Sequence, residues 1–149
     1  MPAEKTFNAT VQRTVRTSRQ RCWHAWANTA QLSHWFTTSA WQEFRVGGRY
    51  ENSDGDSGVF LEIVPDKLLR FTWENRRHQP GSEVSVSFAV SGSSGAIIRL
   101  QHRKLKNKRD AVKLKQGWNW AMDSLKSFLE TGRPISHSDW SKKQNKKPN

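Results

Sequence analysis

The stretch Phe44–Pro65, FRVGGRYENSDGDSGVFLEIVP, decides the fold. Adjacent glycines ahead of an acidic segment fit a phosphate cradle, a calcium loop or a β-hairpin. A phosphate loop needs G-x-x-x-x-G-K-[ST] before a helix, and a dinucleotide loop needs G-x-G-x-x-G there. Gly47-Gly48 matches neither, and strand-like sequence flanks it on both sides. A calcium loop would take its signature from positions 50, 52, 54, 55 and 61. Asn52, Asp54 and Gly55 fit, but Tyr50 and Leu61 stand where both end ligands belong. The hairpin survives, with Asp54-Gly55 as its tight turn. Glycines inside a strand mark a bulge, a bend or close backbone approach, so the sheet is expected to curve at Gly47-Gly48.

Strand patterns continue on either side of the hairpin. TFNATVQRTV (Thr6–Val15) places Phe7, Ala9, Val11 and Val15 on one face, interrupted by Arg13. WQEFRVGGRYE reads as one strand with Phe44, Val46, Gly48 and Tyr50 on a common face. LLRFTW alternates Leu69, Phe71 and Trp73 against Leu68, Arg70 and Thr72. NRRHQPGSE reads as a loop, VSVSFAV as a clean strand, SGSSG as a turn and AIIRLQHRKL as the last strand.

Helical signals lie at two places. Ser18 suits an N-cap for RQRCWHAWAN, and a second short helix, TAQLSHWF, starts near Thr29. The second place is a long helix with Asp110 as its expected cap and Gly132 as its end. Leu114, Trp118, Ala121, Met122, Leu125, Phe128 and Leu129 form its apolar stripe. Gly117 interrupts the interior of this helix, for close packing or for room beside a cavity. The expected class is α+β: about six antiparallel strands, two short helices after the first, and a long C-terminal helix covering the apolar face. One domain is expected over residues 1–132, followed by a basic, flexible tail over 133–149.

The 149 residues carry a net charge of +12, concentrated in two places. RKLKNKRDAVKLK (103–115) holds seven Lys/Arg and one Asp, and 133–149 holds five and one. Such runs suit an acidic protein or nucleic-acid partner as well as a solvated surface. Cys22 is the single cysteine, so no internal disulfide forms, which fits a reducing compartment. No apolar run approaches the roughly 20 residues of a membrane span, and the N-terminus lacks a signal core. A cytoplasmic protein is expected.

Several stretches together resemble one family. WHAW (Trp23–Trp26) and LSHWF (Leu32–Phe36) look like its first helices. FRVGGRY, GVFLEIVP and LLRFTW look like its central strands. LQH (Leu100–His102) and GWNWAMDSLKSFLE (Gly117–Glu130) look like its final strand and helix. The family is the activator of heat-shock protein 90 ATPase homologue-like group of the START/Bet v 1, or SRPBCC, superfamily. The likeness spans about residues 7–131 and leaves out the lysine-rich connector and the tail. It implies a helix-grip fold, a curved sheet wrapped around the long helix, with a cavity often used for hydrophobic small molecules. Members of the superfamily include ligand binders, cyclases and hydrolases, and chaperone ATPase activators.

On that fold, strand parity predicts a ligand wall. The sheet would supply Val46, Tyr50, Phe71, Trp73, Val86, Phe88, Ile98, Leu100 and His102. The helices would supply Trp35, Phe36, Trp118 and Met122, with Trp41 at the mouth. Arg13 and Glu62 are candidate polar groups, paired with each other or meeting a ligand, because a buried charge needs a partner. The five histidines show no metal-ligand spacing, and no Gly-x-Ser-x-Gly elbow occurs, so neither metal nor cofactor is expected. Cys22, beside Trp23, reads as a packing residue, although Arg19 and Arg21 would activate an exposed thiol. Three functions follow, in order: binding of an apolar or aromatic small molecule, cyclase or hydrolase chemistry in the same cavity through His102 or Glu62, and protein interaction. Lipid- or polyketide-like compounds are the ligand class that the resemblance implies.

Overall fold

The computed structural model describes residues 5–36, 39–75 and 78–146. The elements run β1 (Phe7–Val15), α1 (Arg19–Ala27), α2 (Thr29–Trp35), β2 (Ala40–Gln42), β3 (Arg49–Asn52), β4 (Ser57–Val64), β5 (Leu68–Asn75), β6 (His78–Ser91), β7 (Gly95–Leu105), α3 (Lys108–Thr131) and α4 (His137–Lys146). Seven strands form one antiparallel sheet in the order β1-β7-β6-β5-β4-β3-β2. The sheet curves around α3, whose buried stripe of Trp118, Ala121, Met122, Leu125 and Leu129 faces the inner strand residues. Full burial of a large apolar side chain contributes about 1.5–3 kcal/mol, so this seam dominates the stability.

Side-chain caps set the helix ends. Ser18 Oγ accepts from Arg21 N at the start of α1. Asn28 ends α1, and its Oδ1 accepts from Gln31 N to start α2, so one residue makes the corner between them. The cap of α3 differs from the expected Asp110. Asn107 is the N-cap: it accepts from Asp110 N at 2.8 Å and donates to Asp110 Oδ2 at 3.1 Å. The two short polar side chains satisfy each other, and the helix begins earlier than Asp110. Gly132 ends α3 in the left-handed region, φ 81°, as its position suggests.

Two strand expectations are corrected. WQEFRVGGRYE is two strands, because residues 43–48 turn out of the sheet between β2 and β3. Gly48 N donates to Arg45 O, and a Cβ on Gly48 would lie 2.1 Å from Glu43 O. Val46 is therefore 60 % exposed and Phe44 packs inward instead, edge-on to Trp23 and Phe60. The second correction concerns the loop expected between β5 and β6, where Asn75 already pairs with His78. Arg76 and Arg77 of that loop lie outside the described residues, as do residues 1–4 and 147–149. Within the segment read as a tail, His137–Lys146 form α4. The segment docks on α3 through the indoles of Trp120, donating to Ile135 O at 2.8 Å, and Trp140, donating to Asp123 Oδ2 at 2.9 Å.

Candidate functional site: an aromatic pocket at the sheet rim

A pocket opens where α2 meets the short-strand end of the sheet. Helices supply Trp26, Leu32, Phe36 and Trp118. The strands supply Ala40, Trp41 and Gln42 of β2, Tyr50, Glu51 and Asn52 of β3, Phe60 of β4, and Leu69, Phe71 and Trp73 of β5. Asp56 closes the β3–β4 turn. Eight of the fifteen lining residues are aromatic, so the wall is apolar and its polar groups gather at one end. The enclosed space is only about 40 Å³. Ligand cavities generally reach hundreds of cubic ångströms, so this space is much smaller than an ordinary ligand site.

The rings hold one another in place. Phe36 stacks on Trp118 at 5.7 Å between centroids, and Tyr50 meets Phe71 edge-on at 5.3 Å. Such pairs add about 0.5–1.5 kcal/mol beyond area burial. Tyr50 rests over Gly58, where a Cβ would come within 2.7 Å of its ring, and donates to Thr72 O at 2.6 Å. Burial raises the Tyr50 phenol pKa far above its ordinary value, with Asp56 and Glu74 adding to the effect. The phenol is neutral and acts as a donor.

A buried polar relay lies behind the wall. Trp118 Nε1 donates to His102 Nδ1 at 3.0 Å, and His102 Nε2 lies 2.9 Å from Ser82 Oγ, which donates to Trp73 O at 2.9 Å. An indole N–H can only donate, so Nδ1 carries the lone pair and the proton sits on Nε2. The relay ties two pocket rings, Trp73 and Trp118, to the last strand.

The ligand wall drawn from strand parity is longer than the pocket. Of that wall, Phe36, Trp41, Tyr50, Phe71, Trp73 and Trp118 line the space, and Trp41 stands half exposed at its mouth. Val86, Phe88, Ile98, Leu100, Trp35 and Met122 do not; they pack into the closed core between sheet and helices. Phe88 meets Trp23 edge-on, and Trp35 Nε1 donates to Ala25 O. His102 is fully buried in the relay and does not border the pocket. Val46 points outward because of the turn before β3.

The two candidate charges neither pair with each other nor reach the pocket. Arg13 donates to Asp123 Oδ1 at 2.7 Å and Asn119 Oδ1 at 3.0 Å on α3. Glu62 accepts from Arg70 on the outer face. A bulge explains its position: between Phe60↔Phe71 and Glu62↔Arg70, β4 advances two residues while β5 advances one. Cys22 is buried, and loss of solvent pushes its thiol up to about 11, against its own backbone hydrogen bond and the nearby Arg21 charge. It packs as a small apolar side chain.

Sequence reasoning missed Trp26, Phe60 and Leu69, together with the polar end formed by Gln42, Asn52 and Asp56. Leu69 shares the parity of Phe71 and Trp73 and was within reach of the pattern. Phe60 was not, because both faces of VFLEIV are apolar and the bulge is silent. The polar end is internally bonded: Gln42 Nε2 donates to Ala27 O at 2.8 Å, and Asp56 accepts from Asn52 and Asn75. Among the described residues no His, Cys, Asp and Glu side chains gather as a metal site, and no helix is long and apolar enough to cross a membrane.

A curved antiparallel sheet gripping a long C-terminal helix defines the helix-grip class of the SRPBCC superfamily. Residues 16–130 match the family described as Activator of Hsp90 ATPase homolog 1-like protein, and the chain belongs to that family. Among solved structures, CalU16 from Micromonospora echinospora is similar at TM-score 0.79 and 20 % identity, over 97 % of this chain and 93 % of its own. The Aha1 dimer from Colwellia psychrerythraea gives TM-score 0.76 at 18 % identity, over 85 % of this chain and 98 % of that one. DynU16, from the dynemicin biosynthetic locus, gives 0.73 at 21 %, over 89 % of this chain and 49 % of its own. No curated protein matches the chain. The connector at Lys106 and Lys108 falls inside the family match, while α4 falls beyond it.

Proposed function

We propose that this protein binds a small apolar or aromatic molecule, with the aromatic pocket as its seat. The observation that carries the reading is the wall itself: eight rings converge on one opening with their polar groups confined to one end. Sites for small molecules have this composition. At about 40 Å³ the pocket admits only part of a ligand, so binding displaces the mouth, where Phe36 and Trp41 stand. The occurrence of a similar fold in the dynemicin biosynthetic locus suits a role beside small-molecule synthesis. The test is a titration of 2-naphthol followed by tryptophan fluorescence and thermal unfolding. Saturable quenching with a rise in Tm is expected, and Ala40→Trp, which fills the mouth, should abolish both. Linear, unsaturable quenching equal in the two proteins would refute the reading.

A second reading draws on the basic start of α3. Lys106, Lys108, Arg109, Lys113 and Lys115 are all exposed around the start of α3. They suit docking of an acidic protein surface, a role in keeping with the family's description as an ATPase activator. Association measured with polyglutamate should weaken steeply between 50 and 300 mM salt and vanish when these residues are changed to Gln. Salt-independent association would remove this reading.

A further inference from the structure

Trp26 Nε1 is a buried donor with no hydrogen-bond partner, on a side chain only 5 % exposed. Trp26 lines the aromatic pocket. Buried polar groups are nearly always satisfied, and each exception calls for an explanation. The other such atom among the described residues, Arg19 Nε, belongs to a residue at the start of α1 that does not line the pocket.

The remaining polar groups of the wall leave a one-sided demand. Trp118 Nε1 donates to His102, Tyr50 Oη to Thr72 O, and Gln42 Nε2 to Ala27 O. Asn52 Nδ2 donates to Asp56. The Trp26 indole can donate and cannot accept. What Trp26 Nε1 lacks is therefore an acceptor. Two carboxylates, Glu51 and Asp56, line the same space, which disfavours an anionic oxygen.

Resting on the small-molecule reading above, we infer that the ligand presents a neutral carbonyl oxygen to Trp26 Nε1. The ligand class is then an aromatic ketone, aldehyde, quinone or amide, and not a plain hydrocarbon or a carboxylic acid. The carbonyl also fits the size of the pocket, about 40 Å³, which would take a small head group while the rest of the molecule displaces the mouth.

The test uses the whole chain, labelled with ¹⁵N at the tryptophan indoles, and two probes of similar shape: acetophenone and ethylbenzene. The Trp26 indole signal is assigned by its loss in Trp26→Phe. Acetophenone should move the Trp26 indole proton downfield, and ethylbenzene should not. In Trp26→Phe both probes lose the same ring contact, so the readout is the ratio of their affinities: acetophenone should weaken by about fivefold or more relative to ethylbenzene, since it alone loses a hydrogen bond. If both probes bind and neither the Trp26 signal nor the substitution tells them apart, the carbonyl inference is overturned while the pocket reading stands. If neither binds, both fall together. Should Trp26→Phe not fold, the indole shift in the unaltered protein decides: downfield with the ketone alone supports the inference, and the same response to both probes overturns it.

Discussion

On β1, β6 and β7 the residues facing α3 are mostly aliphatic: Val11, Val15, Val84, Val86, Ile98 and Leu100, all buried. On β3, β4 and β5 the inner positions are mostly aromatic, Tyr50, Phe60, Phe71 and Trp73, with Leu69 beside them. The same sheet thus has a solid half and a ringed half. Branched aliphatic side chains interdigitate to crystal-like density. Rings prefer tilted and edge-on contacts at centroid separations of about 4.5–7 Å. The pocket lies in the ringed half, where the strands are shortest and α2 supplies Leu32. Stability is concentrated in one region and the candidate binding surface in the other.

The strongest challenge to that division is Leu125→Ala, in the solid half. Leu125 is fully buried on α3, so truncation should cost about 3 kcal/mol in urea unfolding. The affinity for 2-naphthol should stay within about twofold, because the site is elsewhere. A parallel loss of binding would show that the two halves act as one.

His102→Leu probes the seam between them. It leaves the Trp118 indole without its acceptor, at a cost of about 2 kcal/mol. The Trp118 indole proton should also move upfield, a signature that lost packing alone would not produce.

Gly117→Ala should act in the opposite direction. No atom lies within 4 Å of a Cβ placed there, so close packing is not the reason for this glycine. Alanine should raise stability by about 0.5–1 kcal/mol in the same unfolding assay. A loss would point to crowding along α3.

The smallest effect is electrostatic and belongs to the far end of α3. The Arg16 backbone N–H holds the Glu130 carboxyl below its ordinary value of 4.5; burial opposes this, and Lys126 assists. A lowered folded pKa means that the contribution is present above the unfolded value and is lost as pH falls through the folded one. Glu130→Gln should therefore destabilise by less than about 1 kcal/mol at pH 7, and by nothing measurable near pH 2.

Much of this architecture is legible in the residues. The period-two runs of β5, β6 and β7, the stripe on α3, the Asp54-Gly55 turn and the caps at Ser18 and Gly132 are local signals, and local physics decides them. The pocket was only partly legible. Tyr50, Phe71 and Trp73 follow parity, but parity extends the wall to Val86, Ile98 and Leu100 because it cannot register how tightly α3 packs on them. Glu62 and Val46 fail for a sharper reason. One bulge in β4 and one turn at 43–48 each shift the alternation, and neither has a composition of its own beyond the paired glycines. Sequence alone does not single out Asn107, because Asp110, an equally good cap by type, stands three residues on. The fate of 133–146 depended on Trp120 and Asp123, partners that lie elsewhere in the chain.

Backbone amide and indole shift mapping with acetophenone at saturation tests the central division most directly. The account predicts perturbations grouped at Phe36, Trp41, Tyr50 and Phe71, with Val86, Ile98 and Leu100 unmoved. Perturbations centred on those three aliphatic residues, or none anywhere, would contradict it.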